Sequence, residues 1–188
     1  MVLHSSLKGV WERSRTQSRF SGMQHAASAL WHAAISFSPA HTPLALRILT
    51  DTIQWMRDEK APYAAACTHC RHVRDLEHLV QCHDLRRERA GANTAVCRTL
   101  LALDLPSLTA KATRFLSEGQ HLLNTLKGLG IIAAISTDAE IAGLAGAFPA
   151  DIARAALRSH GATASQCDAA LAAIRITLLS WIARLLTP

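Results

Sequence analysis

Apolar residues recur every three or four positions along most of this chain, which is the spacing that places them on one face of a helix. The clearest case is TPLALRILTDTIQWMRDEK (42–60), where Leu46, Leu49, Ile53 and Met56 form one stripe behind a Thr-Pro start. No sustained alternation of apolar and polar residues marks a strand. The pattern predicts an all-α fold, with helices over 22–37, 42–60, 84–106, 107–130 (one or two), 137–148, 149–161 and 163–186. We expect Ser107 to cap the helix that begins there.

The last predicted helix, 163–186, is long and apolar enough to raise the question of a membrane span. It carries Asp168, Arg175 and Arg184, and the two arginines are nine residues apart. At about 100° per residue they point to opposite sides of the helix. We therefore expect a buried or docking helix and no membrane span.

The composition favours a folded protein with a basic first half. Of the 188 residues, 49% are hydrophobic and 18% are charged, which is enough apolar material for a core and argues against wholesale disorder. Residues 1–100 hold thirteen Lys and Arg against eight Asp and Glu, so +5 of the total charge of +6 lies there. This excess suits nucleic acid, an anionic membrane surface or a solvated basic segment. Residues 1–22 fit a mitochondrial transit peptide and an ordinary basic segment equally well.

Three of the five cysteines and four of the ten histidines fall within CTHCRHVRDLEHLVQCHD (67–84). Cys67 and Cys70 form a C-x2-C turn, and His78 and Cys82 share one face if RDLEHLVQC is helical. Such a set closes a tetrahedral site of the kind that Zn²⁺ occupies. We predict a small zinc-knuckle-like insertion in an irregular helical domain, with Cys67, Cys70, His78 and Cys82 as ligands. The alternative is reduced cysteines packed as small hydrophobic residues.

The predicted zinc is structural, because four protein ligands leave no position open for water or substrate. The chain has no Gly-rich phosphate loop, no H-E-x-x-H, no G-x-S-x-G and no deaminase signature. We therefore predict no catalytic residue, no enzyme and no small-molecule substrate. An odd cysteine count without a secretory signal favours a reducing, intracellular compartment. We expect His69, His72 and His83 to be bystanders, and Cys97 and Cys167 to be lone buried thiols.

Residues 42–90 resemble the zinc-binding segment that follows the polymerase domain in non-LTR retrotransposon reverse transcriptases. The matching positions are those of an apolar helix, a knuckle and an E-H-L motif: Leu46, Leu49 and Thr50, then Cys67 and Cys70, then Glu77, His78 and Leu79. The match covers about a quarter of the chain. Paired polymerase aspartates are absent, so the resemblance implies a detached C-terminal piece or a domesticated descendant that does not polymerise.

The fourth zinc ligand has two candidates. The family leaves four residues between its histidine and its last cysteine, and here that spacing falls on His83, whereas three residues precede Cys82. Either side chain could close the site. We favour Cys82, because the i,i+4 spacing from His78 suits a regular helix and thiolate binds zinc well.

Two functions are compatible with these features. The resemblance implies a module that binds RNA or DNA, with five arginines beside the zinc site as phosphate contacts: Arg71, Arg74, Arg86, Arg87 and Arg89. The alternative is a structural zinc-containing subunit of a larger protein or ribonucleoprotein complex, for example an organellar one. We expect an intracellular protein of the nucleus or the mitochondrion. Its predicted regions are a basic segment with one helix (1–40), a zinc-binding helical region (41–106) and an Ala/Leu-rich helical region (107–188).

Overall fold

A computed structural model of the chain describes residues 85–119, 121–132 and 148–186, together with Cys70, Cys82, Gly143 and Gly146. These residues form five helices and no strand: α1 (Arg86–Leu101), α2 (Pro106–Ser117), α3 (Leu122–Gly128), α4 (Ala150–Arg158) and α5 (Ala164–Leu186). The all-α prediction is therefore confirmed. The helices predicted over 22–37 and 42–60, and nearly all of 137–148, lie outside the described residues.

Helix α1 packs against α2, α3 and α5, and α5 also packs against α4. The buried face of α5 carries a stripe at helical spacing, formed by Leu171, Ile174, Leu178, Trp181 and Ile182. Each such side chain contributes roughly 1.5–3 kcal/mol by leaving water. The buried apolar residues of α1 are small or medium-sized: Ala92, Val96, Cys97 and Leu100. The resulting core runs across residue 106, so α1 shares its interior with the Ala/Leu-rich region.

The helix ends follow local sequence signals. Helix α2 begins at Pro106, which suits a first position because it has no N–H to leave unpaired. Leu105 is its N-cap, so the expectation that Ser107 caps this helix is wrong. Helix α5 begins with a reciprocal pair, in which the Thr163 N–H donates to Gln166 Oε1 at 2.9 Å and the Gln166 N–H donates to Thr163 Oγ1 at 3.2 Å. This capping box satisfies two backbone N–H donors at once and sets the start of the longest helix.

Helix α3 lies very close to α2 at one glycine. A Cβ built on Gly128 would lie 2.8 Å from Cζ of Phe115, closer than real contacts allow. The absence of a side chain there lets the Phe115 ring, which is 5% exposed, fill the space between the two helices.

The two arginines of α5 lie on opposite sides, as predicted: Arg175 is buried and Arg184 is exposed. Among the described helices, none combines the length and the hydropathy that crossing a membrane requires.

Candidate metal centre and the basic helix beside it

Two of the predicted zinc ligands are described, and they lie together. Cys70 Sγ is 3.8 Å from Cys82 Sγ. Cys70 lies in a turn, as the C-x2-C pattern predicts, and Cys82 is buried at 6% exposure. The separation is far longer than the roughly 2.05 Å of a disulfide bond. The chain therefore brings two thiols that are twelve residues apart into one contact without linking them.

The pair fits zinc in both distance and donor type. In a tetrahedral site with Zn–S bonds of about 2.3 Å, two thiolate sulfurs lie about 3.8 Å apart. A thiol–thiol hydrogen bond has the same length, so the distance alone does not indicate zinc. The zinc prediction also depends on Cys67 and His78, which the sequence places at ligand spacing. Both of these, and the alternate ligand His83, lie outside the described residues. The part of the chain that the structure describes contains no group of three or more possible ligands.

Cys82 is held at the start of α1 by backbone and side-chain packing. The Leu85 N–H donates to the Cys82 carbonyl at 3.3 Å, one turn before the helix begins. Leu85 is 2% exposed, and both residues belong to the main core, against which Cys70 also packs. Cys82 itself has no helical conformation, so it is not part of the helix predicted for RDLEHLVQC. The candidate centre is thus anchored directly to the first turn of α1.

The predicted phosphate contacts divide into two groups. Arg86 and Arg87 are exposed in the first turn of α1, whereas Arg89 is buried at 6% exposure. Arg71 and Arg74 lie outside the described residues. Because Arg89 is buried, its side chain has almost no surface that a phosphate could contact. Arg89 therefore does not lie in the solvent-facing position predicted for it.

The surroundings of Arg89 are those of a buried cation. Burial lowers the pKa of its guanidinium, while the charges of Cys82 and then Glu88 act to raise it. Its Nε and Nη1 have no hydrogen-bond partner among the described residues. Desolvation of the His121 imidazole, followed by the charge of Arg89, lowers the pKa of His121.

Arg98 is a basic residue that the sequence did not bring to attention. It is exposed on α1, eleven residues after Arg87. Eleven residues are close to three full turns, so the two arginines share a face about 16 Å apart along the axis. The helical repeat of α1 could have identified Arg98, because it puts Arg98 on the same face as Arg87. Arg98 was missed because it lies far from the cysteine cluster in sequence. The solvent side of α1 therefore carries Arg86, Arg87 and Arg98 against one acid, Glu88.

The other chemistry-bearing residues of the described part do not form a catalytic site. Ser107 Oγ lies 2.7 Å from His160 Nδ1, and Lys111 Nζ lies 3.3 Å from His160 Nε2. A lysine ammonium only donates, so Nε2 is the acceptor and Nδ1 carries the proton. His160 then donates to Ser107 and does not take its proton, which leaves the hydroxyl unactivated. The contact joins α2 to the turn after α4.

This contact predicts a loss of stability in acid. Burial, followed by the Lys111 charge, lowers the pKa of His160 from 6.5. The unfolded chain then binds the proton more tightly than the folded chain does. The stability that neutral His160 contributes is therefore complete above the ordinary pKa and falls as the pH drops toward the pKa of the folded state. We expect His160→Gln, which does not titrate, to lose less stability than the parent between about pH 7.5 and about pH 5. Urea unfolding midpoints measured at each pH test this prediction. The zinc ligands and His121 are common to both proteins, so the difference between the two reports His160. Equal losses would contradict it.

A surface groove of about 630 Å³ is lined by Asp151, Arg154, Ala155, Arg158 and Asp168. Three of its four charged residues pair with each other, since Arg154 lies 2.7 Å from Asp168 and 3.5 Å from Asp151. Cys97 and Cys167 are fully buried outside any disulfide, as predicted, and burial raises the pKa of the Cys97 thiol to about 11. Neither feature offers a second reactive site.

Comparison of the chain with protein-family models, with curated proteins and with solved structures found no match.

Proposed function

We propose that this chain is a non-catalytic, zinc-stabilised module that binds nucleic acid. The observation that carries the proposal is the placement of Cys70 and Cys82, 3.8 Å apart, at the N-terminus of a helix whose first turn exposes Arg86 and Arg87. The resemblance of residues 42–90 to the zinc-binding segment of non-LTR retrotransposon reverse transcriptases supports the same function.

The role of the zinc is to hold two segments together. Cys67, Cys70, His78 and Cys82 would bind the ion, and its bonds would tie the turn at Cys70 to the start of α1. Because a closed four-ligand site has no vacant position, the ion supplies folding free energy and no chemistry. We expect the same ion to order Arg71 and Arg74, which lie in sequence between the ligands Cys70 and His78.

The role of α1 is to present positive charge to phosphates. Arginine donates in a planar fork that matches two phosphate oxygens, and Arg86 and Arg87 project such forks from adjacent helical positions. Arg98 extends the basic surface along the same helix. Contacts of this kind give affinity and orientation without base specificity. We therefore propose binding to RNA or DNA that is salt-dependent and tolerant of sequence.

The alternative is a structural subunit of a larger protein or ribonucleoprotein complex. Such a subunit needs an apolar docking surface, and among the described residues Ile152 is the single large hydrophobic side chain that is exposed. One isolated residue of this kind does not make an interface. The alternative is kept as an outcome of the test of the nucleic-acid proposal.

The test is the salt dependence of binding to a short duplex and to its single strands. Each phosphate contact contributes about 0.9 to the log–log slope on duplex DNA and about 0.7 on a single strand. We expect Arg86→Ala with Arg87→Ala to reduce the slope by up to roughly 1.8 on duplex DNA, with zinc content unchanged because neither residue is a ligand.

The matched control is Arg154→Ala with Arg158→Ala. It removes the same charge from α4, which packs on α5. This control should keep the parental slope. Equal effects of both pairs would show that net charge alone drives binding. A parent that binds neither RNA nor DNA would instead support the structural-subunit alternative, which co-purification with a stable complex from the native host would identify.

A further inference from the structure

The four described cysteines have two kinds of surroundings. Cys97 and Cys167 are both 0% exposed, and the sulfur of each contacts an oxygen acceptor of a neighbouring residue. Cys70 and Cys82 instead have their sulfurs 3.8 Å apart. Cys82 is buried, but Cys70 lies in a turn and is partly exposed. In the described part of the chain, a sulfur that solvent can reach therefore lies directly beside a second sulfur.

This arrangement is the one that oxidation converts into a disulfide. The susceptibility of a cysteine to peroxide follows its exposure and its thiolate character, and a neighbouring cysteine turns the first oxidised product into a disulfide. Cys97 lacks both properties, because it is fully buried and burial raises the pKa of its thiol to about 11. We therefore expect oxidation to begin at Cys70, with Cys82 as the cysteine that resolves the first product.

The backbone on both sides of the pair permits the closure. A disulfide requires the two sulfurs to approach from 3.8 Å to about 2.05 Å. Cys70 is in a turn and Cys82 precedes α1, so neither residue belongs to a helix. The hydrogen bond that joins Cys82 to α1 uses its backbone carbonyl, to which the Leu85 N–H donates at 3.3 Å. The sulfurs can therefore approach each other without breaking a hydrogen bond within α1.

We propose that Cys70 and Cys82 form a reversible disulfide in response to hydrogen peroxide, and that its formation releases the zinc ion. The thiolate of Cys70 attacks one peroxide oxygen, and the O–O bond breaks. The departing hydroxide takes up the proton that the Cys70 thiol gave up, which leaves a sulfenic acid and one water.

The second step closes the disulfide. The sulfur of Cys82 attacks the sulfur of the Cys70 sulfenic acid, so that an S–S bond forms and the S–O bond breaks. Hydroxide leaves and takes the proton of the Cys82 thiol as a second water. Two thiols and one hydrogen peroxide thus give one disulfide and two waters, with two electrons passing from sulfur to peroxide. A small dithiol reverses the reaction by thiol–disulfide exchange.

The inference deepens the proposed function, because it adds regulation to the proposed zinc site. Zinc binds cysteine as the thiolate, and a disulfide has no thiolate to offer. The zinc release rests on the proposed site, whereas the disulfide rests on the two described sulfurs. The two statements can therefore fail separately.

The test is treatment of the full chain, as purified, with hydrogen peroxide, followed by alkylation under unfolding conditions and peptide mass spectrometry. We expect one new linked pair of peptides, which joins Cys70 to Cys82, and its loss on addition of dithiothreitol. Cys97 and Cys167 should be recovered as free thiols. A link that involves Cys67 instead, earlier oxidation of either buried thiol, or no disulfide at all would overturn the inference.

Two variants identify the resolving cysteine. In Cys82→Ala, the sulfenic acid on Cys70 should pass on to sulfinic acid, which dithiothreitol does not reverse. Cys167→Ala removes a fully buried thiol and should form the disulfide at the parental rate. Reversible oxidation of Cys70 at the parental rate in Cys82→Ala would show that another residue resolves it. If Cys82→Ala does not fold, the linked peptides of the parent decide the question.

Zinc release is measured in the same samples with a chromophoric chelator. We expect one zinc ion to be released for each disulfide formed. A parent that forms the disulfide but keeps its zinc would overturn the regulation. A parent that holds zinc but forms no disulfide would overturn the inference and leave the zinc site intact. A parent that forms the disulfide but never held zinc would support the reactive pair and overturn the proposed zinc site.

Discussion

Replacing Cys70 or Cys82 by serine should abolish zinc binding, whereas the parent should hold one zinc ion per chain. The two sulfurs lie 3.8 Å apart, as two ligands of one tetrahedral ion do, so either substitution opens the site. Structural zinc supplies folding free energy on the order of 10 kcal/mol. Chelation should therefore unfold the segment around 62–90 and raise its amide hydrogen exchange. Metal content by elemental mass spectrometry and exchange by peptide mass spectrometry measure both effects.

Two further substitutions serve as controls for the zinc prediction. Cys167→Ala removes a buried thiol that is remote from the cluster in sequence and should keep full zinc occupancy. His83→Ala should weaken binding far less than Cys82→Ser, because Cys82 is the side chain placed beside Cys70. The reverse order would assign the fourth position to His83. Full occupancy in Cys70→Ser would remove the zinc assignment altogether.

Arg175→Met should destabilise the protein by about 2–6 kcal/mol, because it leaves two buried carbonyl groups without their donors. Arg175 Nε donates to the Gly146 carbonyl at 3.2 Å, and its Nη2 donates to the Phe148 carbonyl at 3.1 Å. Its guanidinium lies 4.6 Å from the centroid of the Phe148 ring. Burial lowers the pKa of Arg175 to about 10, which is still high enough to keep it charged at neutral pH. Methionine fills a similar volume but donates nothing.

The same arginine also supports an unusual backbone conformation. Gly146 has φ of +87°, which favours glycine, and a Cβ built there would lie 3.5 Å from Cγ of Arg175. The control is Arg154→Met, an arginine with a 40% exposed side chain whose ion pairs are worth less than about 1 kcal/mol. Urea unfolding of both variants tests the comparison. If Arg175→Met unfolds within about 1 kcal/mol of Arg154→Met, the two hydrogen bonds contribute no more than a surface pair.

The helices were predictable because their signals are local. Apolar spacing, Pro149 before α4, and the glycine after it place α4 within three residues of the predicted 149–161, and α5 at Ala164–Leu186 nearly matches 163–186. The predicted helix 84–106 was too long, because the chain turns after Leu101 and Asp104 adopts φ of +53°. The residue type of Ser107 favours a helix cap, but the contact it makes is with His160, fifty-three residues away. Sequence spacing gives no sign of such a partner.

Local patterns along the chain were enough to predict the helical class of the described residues and the grouping of cysteines and histidines at ligand spacing, because both depend on sequence neighbours. The contact between Cys70 and Cys82, and the different burial of arginines that look alike in the sequence, depend instead on how the helices pack. Arg89 and Arg175 face the interior, whereas Arg86 and Arg184 face solvent. The burial of a charged residue depends on which face of its helix packs against the core. That face is chosen by the apolar residues around it, since their burial outweighs the preference of a single arginine for water.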